Sequence, residues 1–314
     1  MIRTIRDCSI GADQIRVLAT WDGPGHWKNA KLVADAARVI ARVPKDTIAQ
    51  FHISNGGAWL REGLLIRLAR ARGLRIVVSL HGYDFPEFAR EHPRLTGTTL
   101  GKADHVICLS TEARDTVRDL LGIPNVTVLA NPVAIDEDSP PANTTPPVAL
   151  FAGTVGLRKG VDVLATAWQT LLDQGIEGSI RIVGEIDDFT PPMLERMSLE
   201  GPIHPNDVAA LLREVRVIVL PSRAEGMPMI LTEALAAGRP FVATGVGGTG
   251  DITPDQDMIV PVEDSDALAQ AIGRYLRDAT AAGDAGRRGQ DYIIETRSPQ
   301  VIDARLREIY ASIQ

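Results

Sequence analysis

Short apolar, β-branched runs alternate along the chain with longer stretches whose apolar positions recur at helical spacing, and turn residues separate the two. Residues 217–220 (VIVL) are the clearest run: closed by Pro221 and Ser222, they predict a buried strand that ends in a turn. Beyond it, Pro228 suits the first turn of a helix, where its missing N–H costs nothing. Strong helix formers continue to Gly238, a natural terminator, and residues 241–244 predict the next strand. The same reading predicts strands at 15–20, 51–54, 76–80, 103–110, 126–129, 148–152, 180–184 and 259–262. It predicts helices at 28–42, 59–72, 161–172, 266–277 and 299–313. Residues 76–80 are nearly unbroken in their apolar character, as expected of a parallel sheet covered on both faces. In 59–72 the apolar positions Leu60, Leu64, Leu65 and Leu68 define an inward face. The opposite face and following loop carry Arg61, Arg67, Arg70, Arg72 and Arg75 against Glu62. That basic face reads first as solvated, and second as a contact for a membrane surface.

Composition narrows the class. A chain of 314 residues has room for two domains of ordinary size, and 45% hydrophobic residues with 4% aromatics fit an α/β protein rich in Ala, Val and Leu. Cys8 and Cys108 cannot make a disulfide framework and lack metal-ligand spacing, so a reducing cytoplasmic setting is expected. No apolar run approaches the roughly 20 residues that cross a bilayer, and the first residues lack a signal-peptide core. Residues 1–140 hold 18 Lys+Arg and 16 Asp+Glu, a balance of +2; the remainder of the 33 and 40 gives 15 and 24, or −9. An acidic chain without a basic, aromatic-lined groove argues against nucleic acid as a partner. Residues 136–147 (DEDSPPANTTPP) are aperiodic and read as a linker, which divides a first domain, 1–140, from a second, 141–297.

Chemistry concentrates after the 217–220 strand. Glu225 lies in the loop and Glu233 in the helix that follows, with helix-start amides between them that suit a phosphate. Hydroxyls at both ends of a ligand and a diphosphate between them would satisfy all three, which describes a nucleotide sugar. The loop sits at the carboxyl end of a parallel strand, where open α/β sheets bind ligands. The string Pro-Ser-x-x-Glu-Gly-x-Pro-x-x-x-x-Glu-Ala-x-Ala-x-Gly-x-Pro over 221–240 resembles the signature of the retaining family 4 glycosyltransferases. That resemblance implies a GT-B fold: two Rossmann-like domains facing across a cleft, here with the first shorter than usual, and a last helix of about 298–314 packing back on it. It implies that Glu225 meets the hydroxyls of the transferred sugar, that Glu233 holds the ribose hydroxyls, and that Gly226, Met227 and Pro228 line the donor.

The strand at 148–152 leads into Gly153-Thr154-Val155-Gly156-Leu157-Arg158-Lys159-Gly160. Its glycines let backbone approach a ligand, and Arg158 and Lys159 place two cations where a diphosphate needs neutralising; the spacing is not that of a P-loop. The stretch resembles the family's Gly-x-x-x-x-Arg-Lys-Gly loop, with Thr154 where many members have arginine. By the same resemblance Gly184 closes a strand near the nucleotide base, and His81, with Gly82 after it, faces the transferred sugar or its acceptor. Gly23, Gly25 and His26 stand where an acceptor-side loop is expected. Three Asp-x-Asp triplets have no discriminating power, so no metal and no cofactor are expected. The glycine cluster at 245–250 formally matches a dinucleotide fingerprint, but Pro254 interrupts the helix it requires, which disfavours a nicotinamide enzyme.

The family resemblance implies metal-independent transfer, with retention, from a UDP- or GDP-sugar to a hydroxyl of a saccharide or lipid-linked acceptor, in polysaccharide or glycoconjugate synthesis. A peripheral contact with the inner membrane surface fits such an acceptor. Because the chain opens near the family's second strand, a nucleotide-sugar binding protein without turnover is the first alternative. A GT-B sugar epimerase is the second.

Overall fold

The computed structural model describes residues 15–23, 26–54 and 56–314, with the side chains of 26–28 left out. The chain divides into two compact units: Met1–Pro132 with Pro299–Gln314, and Val133–Ser298.

The first unit is built on four parallel strands, β1 (Ile48–Ile53), β2 (Arg75–Leu80), β3 (His105–Cys108) and β4 (Val126–Val128), in that spatial order. Residues alternate between faces, so each strand feeds two cores. Phe51, Ile53, Ile76, Val78, Val106 and Cys108 pack with the helix Ala58–Ala71 through Trp59, Leu65, Ile66 and Ala69. On the opposite face Val77 and Ile107 meet Ile302, Leu306 and Ile309 of the terminal helix Pro299–Ser312. At about 2 kcal/mol for each aliphatic side chain buried, those three help hold that helix in place.

Two expectations for this unit are corrected. Residues 15–20 form no strand: the run has no ladder partner among the described residues, and Ile15, Val17 and Leu18 are exposed. The Ala58–Ala71 helix is rotated from the face its leucines predicted, with Leu60 and Leu64 69% and 60% exposed while Trp59, Glu62 and Ile66 turn inward. Trp59 decides the rotation, because its ring stacks on Phe85 and Phe88 at centroid distances of 5.8 and 5.5 Å. Glu62 goes in with it, accepts a hydrogen bond from the Thr20 hydroxyl, and is held above the usual carboxylate range by its burial.

The second unit has six parallel strands: β5 (Val148–Ala152), β6 (Ser179–Val183), β7 (Met197–Glu200), β8 (Val217–Leu220), β9 (Phe241–Thr244) and β10 (Ile259–Val260). Their order is β10-β9-β8-β5-β6-β7. The chain builds outward from β5 through β6 to β7, then returns to the other side of β5 with β8, the strand order of the dinucleotide-binding fold. The direction of winding therefore reverses between β5 and β8, and a crevice opens beyond the carboxyl ends of those two strands. Residues 136–147 pack onto this unit: Arg213 pairs with Asp136 at 2.6 Å, the Arg216 guanidinium donates to the Thr145 carbonyl, and Ala142 and Thr145 are buried.

Candidate functional site

The two loops at the reversal point are the Gly153–Gly160 segment after β5 and the Pro221–Pro228 segment after β8. They bring together Lys159, Arg158 and Glu225, the charged residues singled out in the sequence. Lys159 Nζ lies 2.5 Å from Glu225 Oε1, and Ser222 Oγ donates to the same oxygen at 2.6 Å. Both sides of the ion pair are largely shielded, with side chains 16% and 8% exposed, so water screens it poorly and two donors fix the carboxylate's orientation. Oε1 thus carries both donors.

Backbone contacts lock one loop against the other. The Arg223 amide donates to the Arg158 carbonyl at 2.9 Å, and Arg158 Nη1 reaches the Ala224 carbonyl at 3.2 Å. Arg223 also clasps Asp162 through two 2.7 Å bonds and binds Glu263 and the Leu157 carbonyl, which holds the Asp162 carboxyl below its usual range. Gly160 makes this approach possible: at φ +69° it adopts the left-handed region, and a Cβ there would stand 1.9 Å from the Pro221 carbonyl oxygen. A third loop closes over the pair, as the Gly248 amide donates to the Gly226 carbonyl at 2.6 Å and Gly247 (φ +55°) has no room for a Cβ beside the Glu225 carbonyl. The glycine cluster that formally resembled a dinucleotide fingerprint is this cover.

The remaining donor-side residues flank the loops. Gly153, whose amide continues the β5–β6 ladder by bonding the Val183 carbonyl at 2.9 Å, abuts Gly184, and a Cβ on Gly184 would meet the Gly153 carbonyl. Met227 and Pro228 are buried ahead of the helix Met229–Ala236, and Arg297 Nη1 lies 2.9 Å from the Met227 sulfur. Glu233, half-buried on that helix, is different from Glu225: burial holds its carboxyl above the usual range, and no cation among the described residues offsets it. Such a group gains most from a ligand that supplies hydroxyl donors.

In the first unit His81 follows β2, its amide bonded to the Ile53 carbonyl at 2.8 Å. Its ring meets His52, a residue the sequence reading passed over: His81 Nε2 and His52 Nδ1 are 2.8 Å apart. Burial pushes His52 down to about 3, with the neighbouring His81 adding to the effect, and pushes His81 down to about 4. Gly23 sits in a loop at φ +79°, and its carbonyl accepts from Asn29 Nδ2 at 3.1 Å while Asn29 Oδ1 accepts from the Asp22 amide at 3.0 Å. His26 begins the helix His26–Ile40; its side chain, and all of Gly25, fall outside the described residues.

Ser222, Arg223, Gly247 and His52 are the site residues that sequence reasoning missed. Ser222 stood inside the quoted motif, and Gln50 and His52 alternate with the apolar residues of β1, which marks a polar strip on one strand face. Among the described residues no group of three or more His, Cys, Asp or Glu could hold a metal ion, and no helix is long and apolar enough to cross a membrane.

Comparison with known proteins bears on both units. Residues 6–137 match the family model described as Glycosyltransferase Family 4, and residues 146–278 match the one described as Glycosyl transferases group 1. The chain is 27% identical over 147 residues to an uncharacterized glycosyltransferase of Methanocaldococcus jannaschii, which covers 46% of this chain and 42% of that protein. It is 29% identical over 213 residues to the D-inositol 3-phosphate glycosyltransferase of Xylanimonas cellulosilytica, covering 64% of this chain and 46% of that one. The matched stretch thus spans less than half of each relative's own length. Among solved structures, Anabaena HepE in complex with UDP and glucose aligns with a TM-score of 0.72 at 16% identity, over 95% of this chain and 86% of its own. The two parallel-sheet α/β units are those of the GT-B fold.

Proposed function

Since the chain belongs to the group 1, or family 4, glycosyltransferases, we propose that it moves a sugar from a nucleoside diphosphate donor to an acceptor hydroxyl with retention at the anomeric carbon and without a metal. The observation that carries this reading is the Lys159–Glu225–Ser222 cluster at the reversal point of the second sheet, with Glu233 on the helix beyond it. The solved complexes of HepE hold UDP, and UDP with glucose, which supports a uridine nucleotide sugar as the first donor to test.

Cleavage of the bond between sugar and phosphate builds negative charge on the diphosphate and positive charge on the anomeric carbon. Lys159 and Arg158 stabilise the first together with amides of the glycine loops, which is the part a metal ion plays elsewhere. A shielded lysine does this well, because its field is aimed at the diphosphate before the bond breaks and little water screens it. In the unliganded chain Lys159 is held by Glu225. Donor binding lets the ammonium face phosphate oxygens while Glu225 turns its second oxygen to the sugar hydroxyls. Glu233 accepts from the ribose hydroxyls. The acceptor oxygen approaches the face the phosphate leaves, and the departing phosphate takes its proton, since no side chain in the cluster is placed as a covalent nucleophile.

The acceptor is a saccharide or a lipid-linked sugar. The lipid-linked case is favoured by Leu60 and Leu64, exposed one turn apart on a helix that also bears Arg67 and Arg70; such a stripe suits an anionic lipid surface. Co-sedimentation with anionic vesicles is expected to drop in a Leu60→Ser/Leu64→Ser variant while donor binding stays unchanged. Incubation with UDP- and GDP-sugars and saccharide acceptors, followed by NMR of the anomeric proton, tests the reaction itself. A product with the donor's anomeric configuration supports it, whereas inversion, an isomerised free sugar or binding without product contradicts it.

A further inference from the structure

We propose that His52 is a positioning residue for His81: its Nδ1, hydrogen-bonded to His81 Nε2, sets the orientation and tautomer of the His81 ring and leaves Nδ1 of His81 to meet the sugar or acceptor hydroxyl. The inference rests on the transfer reading above and on the family resemblance, which implies that His81 faces the transferred sugar or its acceptor, and adds to them the group that aims this ring.

The geometry is specific. β1 and β2 run in parallel register with His52 beside Ser79, so His81 follows the ladder by two residues and its own amide is tied to the Ile53 carbonyl. The backbone of both histidines is therefore fixed by the sheet, which leaves the ring torsions as the variables the 2.8 Å contact settles. The ring centroids are 5.1 Å apart with planes 25° from parallel. That separation, with one nitrogen pair in contact, describes two rings meeting edge to edge through a single N–H···N bond.

One hydrogen occupies that bond. If it sits on His52, His81 carries its own hydrogen on Nδ1 and donates to a substrate oxygen; if it sits on His81, Nδ1 accepts from a substrate hydroxyl. In both cases Nε2 is committed, and the reactive edge of His81 is Nδ1. The hydrogen-bonded side chains next to His52 on the two strands are neutral: Gln50 donates to Ser79 Oγ at 2.8 Å and accepts from the Tyr310 hydroxyl, whose own ionisation burial pushes up to about 12. No carboxylate faces the rings among these partners, so the pair does not favour an imidazolium. The second ring does here what a carboxylate does in many histidine sites, without adding charge next to a cation-forming anomeric carbon.

Histidine-labelled full-length chain provides the test, by NMR of the ring nitrogens in the original protein and in His52→Asn, His52→Phe and His81→Asn. Scalar coupling across an N–H···N bond between the two rings is expected in the original chain. In His52→Asn an amide group stands close to the lost Nδ1, and His81 is expected to keep one tautomer. In His52→Phe the His81 tautomers become mixed, and transfer slows about tenfold in kcat with donor KM changed less than twofold, as for a group that acts through orientation. An absent coupling in the original chain, or an unchanged His81 tautomer in His52→Phe, overturns the proposal, and the coupling decides even where His52→Phe does not fold. Should the original chain transfer no sugar, the transfer reading fails by itself while the ring measurements still decide the pairing.

Discussion

The two units solve the problem of holding a polar group in place by opposite means. Around Glu225 the second unit uses charge: Lys159 on the carboxylate, Arg223 across Asp162 and Glu263, and three loops joined by backbone hydrogen bonds. Around His81 the first unit uses a neutral partner of the same kind, His52, set among Gln50, Ser79 and Tyr310. On the proposed reading the difference follows from the charge each would meet. A diphosphate calls for fixed cations, and cations this shielded need a resident anion when the ligand is absent. A sugar hydroxyl calls only for a lone pair or an N–H at a fixed point.

The comparison breaks most visibly at Glu225. Glu225→Gln keeps the shape and removes the charge, and it is expected to lower kcat about 10²- to 10³-fold, the scale for losing one electrostatic contact to a transition state. A smaller loss, within tenfold, would show that the charged cluster is not where the chemistry happens.

Next comes the backbone that lets the loops meet. Gly160→Ala forces a left-handed conformation on a residue with a Cβ and drives that Cβ into the Pro221 carbonyl. We expect a loss of about 2–3 kcal/mol in unfolding free energy by urea titration. Gly175→Ala, also at positive φ but with open space around it, is expected to cost less.

The smallest effect separates the units by pH. His52 and His81 sit below the ordinary histidine value in the folded chain. As pH falls through that value the unfolded chain takes up protons that the folded chain refuses, so stability falls with pH. Each ring contributes at most about 1.4 kcal/mol per pH unit below about 6.5, down to about 4 for His81 and about 3 for His52. Asp162, held low by Arg223, loses its contribution only in the more acidic carboxylate range. Between pH 6.5 and 5 the two histidines therefore make stability fall with pH while Asp162 adds nothing to the slope. Urea titrations in that window are expected to show a shallower slope for His52→Phe and no change for Asp162→Asn.

How far the sequence carried the reading differs between the units for a related reason. In the second unit the chemistry lies in loops that directly follow strands, so the apolar runs at 148–152 and 217–220 located Lys159 and Glu225 at once. What stayed hidden was their pairing, 66 residues apart in the chain, and the reversal of strand order that creates it. The helix Ala279–Arg297 was also illegible, because Gly283, Gly286 and Gly289 look like helix breakers. In the fold Gly286 and Gly289 let the helix approach Gly238 and Leu235 closer than any Cβ allows. In the first unit two of the four leucines of Ala58–Ala71 face the core, Leu65 and Leu68, while Leu60 and Leu64 turn outward, since stacking by Trp59 outweighed a weak apolar stripe. The polar strip of β1 was visible, but the value of His52 was not, because it depends on His81 beyond the end of the next strand.

Donor affinity tests the account most directly. Calorimetry with the nucleoside diphosphate that the original chain binds should show Lys159→Ala and Glu233→Ala each weakening it about tenfold or more, the worth of one charged or hydroxyl contact near 1.4 kcal/mol. His81→Ala should leave it within twofold. Full affinity retained by both Lys159→Ala and Glu233→Ala would contradict a donor site at the β5–β8 reversal.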